Sequence, residues 1–331
     1  MLVAISLLNP MQAYDVLRQG CVSMRVHQEL PSQLPSKDTI LAIGVFDGIH
    51  IGHRHLLNSL KEAASKADML SGVLTFTNHP RTVLAPDSQV QFITSVQDRL
   101  AFLEDAGLDM VIPLTFELAL SRLRAQEFVE LLQDRLRMTG LIMGQNFAMG
   151  FKREGTPDML KSLGLEKGFS VTIVDPLLSN GERVSSTDTR AAISIGDIQK
   201  AHRNLGRAFS LQGKVVAGNA RGKSLGFPTA NLSIDKDRIL PADGIYATWA
   251  KIGNKRFMAA TNIGLRPTFD GTERVVESFI LDFNENLYNA EISLAFVERL
   301  RDEQKFQTVE DLVAQMHRDV EQTRDILNRT T

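Results

Sequence analysis

An α/β domain built on a parallel sheet, followed by a small antiparallel β-barrel or sandwich that ends in a helix, is the fold the sequence predicts. Three observations predict it. Up to about residue 205, β-branched and apolar runs alternate with stretches of helical periodicity, the pattern of a parallel sheet covered on both faces. Beyond it, short strands follow one another between Gly, Pro and Asn with no helix interposed, as antiparallel sheets require. The length of 331 residues exceeds the size at which one core stops growing, so two domains are expected.

The elements follow in chain order. Thr39 to Phe46 is a β-branched and apolar run that ends in Asp47-Gly48 and leads into a helix with Leu56, Leu57, Leu60, Ala63, Ala64 and Ala67 on one side, giving strand, tight turn, helix. The alternation continues through a strand at Val73 to Phe76, a helix near Asp98 to Ala106, a strand at Met110 to Leu114, a helix near Gln126 to Met138, and strands at Leu141 to Met143 and Val171 to Val174. Helical patterns around Thr189 to Leu205 connect the two modules. The second module reads as strands at Leu211 to Val216, Tyr246 to Ile252, Arg256 to Thr261, Val275 to Phe283 and Glu291 to Phe296. A last amphipathic helix, capped by Thr308 with Asp311 reciprocating, carries Val309, Leu312, Val313, Met316 and Val320 as its apolar stripe and is expected to pack on the barrel.

Composition narrows the function. At 43% hydrophobic and 23% charged residues the chain is an ordinary globular protein. Thirty-seven Lys and Arg against 39 Asp and Glu leave a net charge of −2 and no extended basic block, which argues against a nucleic-acid partner. Cys21 is the only cysteine; intrachain disulfides, thiolate zinc and iron–sulfur sites are excluded, and a reducing cytosol fits. The run Leu2 to Leu8 is too short for a membrane span and has no basic flank, so no membrane association and a cytoplasmic location are expected.

The segment Gly44-Val45-Phe46-Asp47-Gly48-Ile49-His50-Ile51-Gly52-His53 places two imidazoles three residues apart where a strand hands over to a helix. Residues i and i+3 share a helix face, and the helix N-terminus offers unpaired N–H groups, so His50 and His53 either meet a phosphate there or are ordinary polar residues at a helix start. Gly52 keeps a Cβ out of the way. Two further patches are Ser185 to Arg190, with hydroxyls and a guanidinium at a helix start, and Gly144 to Gly150, a glycine-punctuated loop after a strand. In isolation the first reads as a helix cap and the second as a surface turn.

In the second module, Gly213 to Leu232 reads GKVVAGNARGKSLGFPTANL. Gly218, Gly222 and Gly226 let backbone approach an anion without intervening side chains, with Arg221 among them. Thr229 and Asn231 offer oxygens two residues apart, on one face if the stretch is extended, and hard oxygen donors suit Mg²⁺. Glu277 shares a strand face with Phe279, Leu281 and Phe283, and is either a solvated strand end or a partly desolvated base.

Taken together these segments resemble the prokaryotic bifunctional riboflavin kinase/FMN adenylyltransferase (FAD synthetase) family, over roughly residues 24 to 327. The resemblance implies a Rossmann-like HxGH nucleotidyltransferase domain at 24–205 and a riboflavin kinase barrel at 206–331; residues 1–23 lie outside it, before Met24 where relatives tend to begin, and are read as an N-terminal extension or a misplaced start. It implies ATP, riboflavin and FMN as substrates, Mg²⁺ as cofactor, and a monomer or weak homo-oligomer. His50 and His53 are then the phosphate-stabilising pair beside Gly44, Phe46 and Gly52. Asn146 touches nucleotide and flavin, and Ser186, Thr187 and Arg190 bind the leaving phosphates. Thr229 and Asn231 hold Mg²⁺ and ATP, Gly218, Arg221, Gly222 and Gly226 embrace phosphates, and Glu277 activates the ribityl 5′-hydroxyl. His79-Pro80-Arg81 matches a family-like position with no catalytic role assigned. Asn146 and Ala148 depart from the aspartate and basic residue that many relatives carry in this loop, which keeps open a kinase without adenylyltransferase activity. A non-catalytic flavin or nucleotide carrier is the third reading; it needs neither Glu277 nor the two imidazoles. Ala217 and Ser278-Phe279 are further departures at positions given no chemistry.

Overall fold

The computed structural model describes residues 24–218, 222, 225–268 and 271–330, so the expected N-terminal extension and Cys21 lie outside the described residues. The chain divides into two compact units, one of residues up to 90 with 96–183, the other of 91–95 with 184–331.

The first unit contains α1 (Met24–Glu29), β1 (Thr39–Gly44), α2 (Ile51–Lys66), β2 (Leu70–Phe76), α3 (Pro80–Leu84), α4 (Val96–Glu104), β3 (Met110–Leu114), α5 (Leu118–Ser121), α6 (Ala125–Leu136), β4 (Met138–Gly144), α7 (Pro157–Lys167), β5 (Ser170–Val174), and the short pair β6 (Leu178–Ser179) and β7 (Glu182–Arg183). The five long strands form a sheet of order β3-β2-β1-β4-β5 in which every pairing is parallel. The two-residue period of β1 divides its side chains between two cores. Leu41 and Ile43 join Phe128, Val129 and Leu132 of α6, whereas Ile40 and Ala42 join Leu57, Leu60 and Ala64 of α2. Burial on both faces is why this strand is a continuous apolar run rather than an alternating one. The order also reverses at β1: the chain moves outward to β2 and β3, then returns to place β4 on the other side. In open α/β sheets such a switch point opens a crevice at the carboxyl ends of the strands. The helix expected to reach Met138 stops at Leu136, because Arg137 turns left-handed (φ 49°) and Met138 already belongs to β4.

The second unit contains α8 (Ser186–Ser194), α9 (Ile198–Leu205), β8 (Phe209–Val216), β9 (Thr229–Ser233), β10 (Gly244–Ile252), β11 (Lys255–Thr268), β12 (Gly271–Ile280), β13 (Glu291–Arg301) and α10 (Val309–Arg329). The strands close into a barrel of order β10-β11-β12-β9-β8-β13, so the barrel and not the sandwich is realised. Closure depends on β9, which lies between β12 and β8 and which the sequence showed only as an extended stretch. Without it two open edges would remain.

Residues 184–205 pack with the barrel, although the sequence reading attached them to the first module. The reason is the apolar face of α9, whose Ile198, Ala201 and Leu205 are buried in the barrel's core cluster. Residues 91–95 join the same unit: Phe92 N–H donates to Asp237 O (2.6 Å), and Ile239 N–H donates to Phe92 O (2.9 Å). The Arg238 guanidinium, 4% exposed, donates to Ile93 O at 2.8 Å.

Inside the barrel, Thr248, Thr261 and Ser278 are fully buried and joined by hydroxyl hydrogen bonds of 2.7 and 3.0 Å across β10, β11 and β12. This ladder satisfies groups whose burial unpaired would cost about 1–3 kcal/mol each, and it marks which residues of β11 and β12 point inward. α10 is capped as expected, Thr308 Oγ1 accepting from Asp311 N–H at 3.1 Å. Of its expected apolar stripe Val309 is exposed and Leu312, Val313, Met316 and Val320 are half-buried, while Asp319, Thr323, Ile326 and Leu327 are buried. Asp319 is satisfied there by accepting both Arg301 Nε (2.9 Å) and Nη2 (2.6 Å) from β13, a bidentate pair that apolar periodicity does not reveal.

Candidate functional sites

The first site is built on the turn between β1 and α2. Three left-handed residues among four bend it: Phe46 (φ 52°), Gly48 (φ 81°) and Ile49 (φ 39°). A positive φ at β-branched Ile49 is strained, and burial offsets that strain, since Phe46 and Ile49 are 4% and 2% exposed within the core beneath α2. The bend sets His50 as the N-cap of α2, its Nδ1 accepting the His53 backbone N–H at 3.2 Å. With Nδ1 used as an acceptor, the ring's proton resides on Nε2 and makes that nitrogen a donor. The two imidazoles stack, centroids 3.6 Å apart and planes 15° from parallel, and the Phe46 ring closes on His53 edge-on at 5.2 Å. Gly44 sits close beneath this ring: a Cβ there would lie 3.1 Å from the Phe46 ring. Gly52 occupies the first turn of α2. Two imidazoles are thus gathered at a helix N-terminus, where backbone N–H groups and the helix dipole favour anions.

Beside this turn, at the carboxyl ends of the strands, lies a cavity of about 760 Å³. Gly44 and Val45 form its floor, Phe76, Phe116, Leu120, Leu123 and Phe128 its apolar wall, and Asn146 with Phe147 and Ala148 another side. His79, Pro80, Arg81, Lys152 and Arg153 line it too, and the three cations are exposed. The sequence reading noted His79 to Arg81 as a family-like position and gave them no role; the structure puts them on the cavity. Asn146 also lines the cavity, its backbone O accepting a hydrogen bond from Arg153 Nη2 at 3.5 Å.

Ser186, Thr187 and Arg190 lie on α8, in the second unit. Ser185 is the cap, its hydroxyl accepting from Asp188 N–H at 3.1 Å. Ser186 and Arg190 are four residues apart and share a helix face, and Asp188 is held by Lys200 (3.1 Å) and Asn204 (2.8 Å).

The second site lies on the barrel's outer face. Glu277 of β12 is paired directly with Asn231 of β9, and opposed residues of antiparallel strands put their side chains on one face. Their neighbours Leu232, Val276 and Ser278 point inward, so Asn231, Glu277 and Thr229 point out. Gly218 lies directly on the Asn231 carboxamide: a Cβ there would be 2.2 Å from Nδ2. Gly222 accepts hydrogen bonds from Leu225 N–H (3.1 Å) and Phe227 N–H (2.8 Å), and its own Cβ would be 3.6 Å from Thr229 Oγ1. Two glycines of the loop therefore converge on both oxygen donors. Gly226 turns with φ 87°, and Arg221 lies outside the described residues. Phe227 packs edge-on against Phe279 (5.2 Å) and His317 of α10 (5.0 Å). Burial pushes the Glu277 carboxyl above the ordinary carboxylate range, against a smaller lowering by Arg266.

The Asn231 Oδ1 is buried with no hydrogen-bond partner among the described residues. A hard, desolvated oxygen lacking a donor, next to the Thr229 hydroxyl and to Gly218 and Gly222, fits a divalent cation such as Mg²⁺. Among the described residues no group of three or more His, Cys, Asp or Glu is arranged for a metal.

An imidazole pair at a strand-to-helix turn and a carboxylate beside a glycine loop define a protein of the phosphoryl- and nucleotidyl-transferring class. The family model described as FAD synthetase matches residues 32–188, and that described as riboflavin kinase matches 205–327. The bifunctional riboflavin kinase/FMN adenylyltransferase of Escherichia coli (strain K12) is 34% identical over 301 residues, 90% of this chain and 96% of the relative. That of Listeria monocytogenes serovar 1/2a is 32% identical over 287 residues, 86% and 91% of the two chains. A crystal structure from Streptococcus pneumoniae described as a macrolide-efflux protein superposes with a TM-score of 0.82 at 32% identity, covering 90% of this chain and 96% of that one. The efflux description is that protein's; among the described residues here no helix is long and apolar enough to cross a membrane. The chain belongs to the bifunctional riboflavin kinase/FMN adenylyltransferase family.

Proposed function

We propose that the barrel phosphorylates riboflavin to FMN with Glu277 as base, and that the β1–α2 turn adenylylates FMN to FAD with His50 and His53 stabilising the transferred phosphorus. The observation that carries the first assignment is the cross-strand pair Asn231–Glu277 beneath Gly218. Glu277 takes the proton of the ribityl 5′-hydroxyl as its oxygen attacks the γ-phosphorus of ATP, and ADP leaves. A carboxylate of raised pKa is a stronger base for this transfer. Thr229 and Asn231 would hold Mg²⁺, which when bound neutralises phosphate charge. Gly218, Gly222 and Gly226, with Arg221, bring backbone and guanidinium donors to the same phosphates.

In the second reaction a phosphate oxygen of FMN attacks the α-phosphorus of ATP and pyrophosphate leaves. His50 and His53 stabilise negative charge on the phosphoryl oxygens as the helix terminus does, by positioned donors rather than a covalent intermediate. Gly44, Phe46 and Gly52 hold the turn open for the nucleotide. The flavin fits the cavity, its ring against Phe76, Phe116 and Phe128 and its phosphate toward the rim cations, with Asn146 between flavin and nucleotide. Ser186, Thr187 and Arg190 take the leaving phosphates. Residues 24–205 and 206–331 are the functional modules, although the contact boundary falls at 183/184. The protein works in the cytoplasm as a monomer or weak homo-oligomer, without nucleic acid. The test is product chromatography after incubation with riboflavin, ATP and Mg²⁺: FMN followed by FAD is expected, FMN alone reduces the chain to a kinase, and neither leaves a carrier.

Gly218→Ala is expected to slow FMN formation by roughly 10²-fold, the cost of misplacing a reacting group by about 1 Å, with FAD formation from supplied FMN unchanged; separate steady-state assays of the two reactions check this.

Glu277 also predicts a pH dependence. Its folded pKa is raised above the ordinary value of 4.5, so the folded state binds this proton more tightly than the unfolded one. Its contribution to stability is full below 4.5 and is lost as pH rises through the folded pKa. Glu277→Gln should therefore raise the melting temperature at pH 7, with the gain vanishing under acid conditions. The acid limb of the wild-type kinase rate should likewise lie above 4.5.

A further inference from the structure

The polar row on the barrel does not end at Glu277. On its other side, Glu277 is paired directly with Asn262 of β11. Asn262 lies between Thr261 and Ile263, both of which are buried inside the barrel, so it points to the outer face with Glu277 and Asn231. Three neighbouring strands thus present Asn231, Glu277 and Asn262 abreast, each about 4.8 Å from the next. The end members share a feature: Asn262 Oδ1, like Asn231 Oδ1, is buried with no hydrogen-bond partner among the described residues. A buried acceptor left unpaired costs about 1–3 kcal/mol, a cost that a ligand's donor recovers on binding.

The row has a direction. Gly218 and Gly222 crowd the Asn231 side, which places the phosphoryl donor there and leaves the Asn262 side for the rest of the acceptor. The acceptor's reacting oxygen is at Glu277. One strand spacing further on, a chain that carries a hydroxyl on successive carbons brings another O–H to Asn262. We propose, on the reading that Glu277 is the kinase base, that Asn262 is a substrate-binding residue whose Oδ1 accepts a hydrogen bond from a polyol hydroxyl of riboflavin beyond the one phosphorylated. Asn262 thereby discriminates for a polyhydroxylated side chain rather than for the flavin ring, since a site built to pair with a hydroxyl rejects analogues that lack it.

The test uses the full-length chain and the kinase reaction, which reports on this site alone. Asn262→Leu and Asn262→Thr are compared with wild type for the KM of riboflavin, the KM of ATP, and the inhibition constant of lumiflavin, which carries the ring without the polyol. Asn262→Leu removes an unpaired polar group and is expected to fold at least as stably as wild type. Its KM for riboflavin should rise roughly 3- to 10-fold, the worth of one neutral hydrogen bond, with the lumiflavin constant and the ATP KM unchanged. Asn262→Thr, which keeps an oxygen on a strand-compatible side chain, should recover part of the loss. An unchanged riboflavin KM in Asn262→Leu overturns the inference, as does a parallel rise in the lumiflavin constant, which would mark general distortion. If Glu277→Gln abolishes kinase activity while the riboflavin KM ignores Asn262, the inference alone fails; if Glu277→Gln keeps full kinase activity, the site reading fails with it.

Discussion

Glu277→Gln is expected to lower FMN formation from riboflavin and ATP by about 10²- to 10⁴-fold, the usual worth of a general base, while FAD formation from supplied FMN continues at the wild-type rate. The substitution preserves shape and the strand pairing with Asn231 and Asn262, and it removes only the capacity to take a proton. A neutral amide is also easier to bury than a carboxylate whose pKa burial has raised, so lost activity cannot be charged to unfolding. Assaying the two half-reactions separately, with melting curves beside them, gives the answer. Equal loss of both reactions in a folded protein would show that the division of labour is wrong.

His53→Ala is expected to do the reverse, cutting FAD formation from FMN by about 10²- to 10³-fold, the range for loss of one positioned transition-state donor. Kinase activity should be untouched. The choice of His53 over His50 follows from the structure. His50 caps α2 through Nδ1, and removing a cap costs about 0.5–2 kcal/mol of stability, which would mix folding with catalysis. His53 instead contributes a stacked ring to the turn. Its truncation leaves the backbone N–H that His50 accepts. A variant that loses the kinase reaction as well, or that keeps normal FAD formation, would remove the imidazole pair from the mechanism.

Much of this was legible in residue order, and the limits are physical. The β1 run and the helix after it were readable because a central parallel strand is apolar on both faces and its partner helix on one. The short strand β9 was not, because Thr-Ala-Asn-Leu-Ser has little hydrophobic signal of its own; it is a strand because β8 and β12 flank it and complete its ladder. The burial of Asp319 on α10 was not legible for a related reason: its partner Arg301 lies outside the helix. Asn262 gave no signal, since a lone asparagine in a strand acquires meaning only from what sits opposite. His79 to Arg81 belong to the cavity through the common alignment of parallel strand ends, which brings together loops far apart in sequence.

Local order along the chain was enough to determine the two modules, the bend that carries the imidazoles and the glycine loop with its oxygen donors, because each depends on conformational preferences and chemistry within a few residues. Only the tertiary structure decided that Asn231, Glu277 and Asn262 stand in one row, that Gly218 rests on Asn231, and that residues 91–95 and 184–205 pack with the barrel. Those facts depend on strand register and on which apolar faces meet, and register is set by pairing between segments that have no means of announcing their partners.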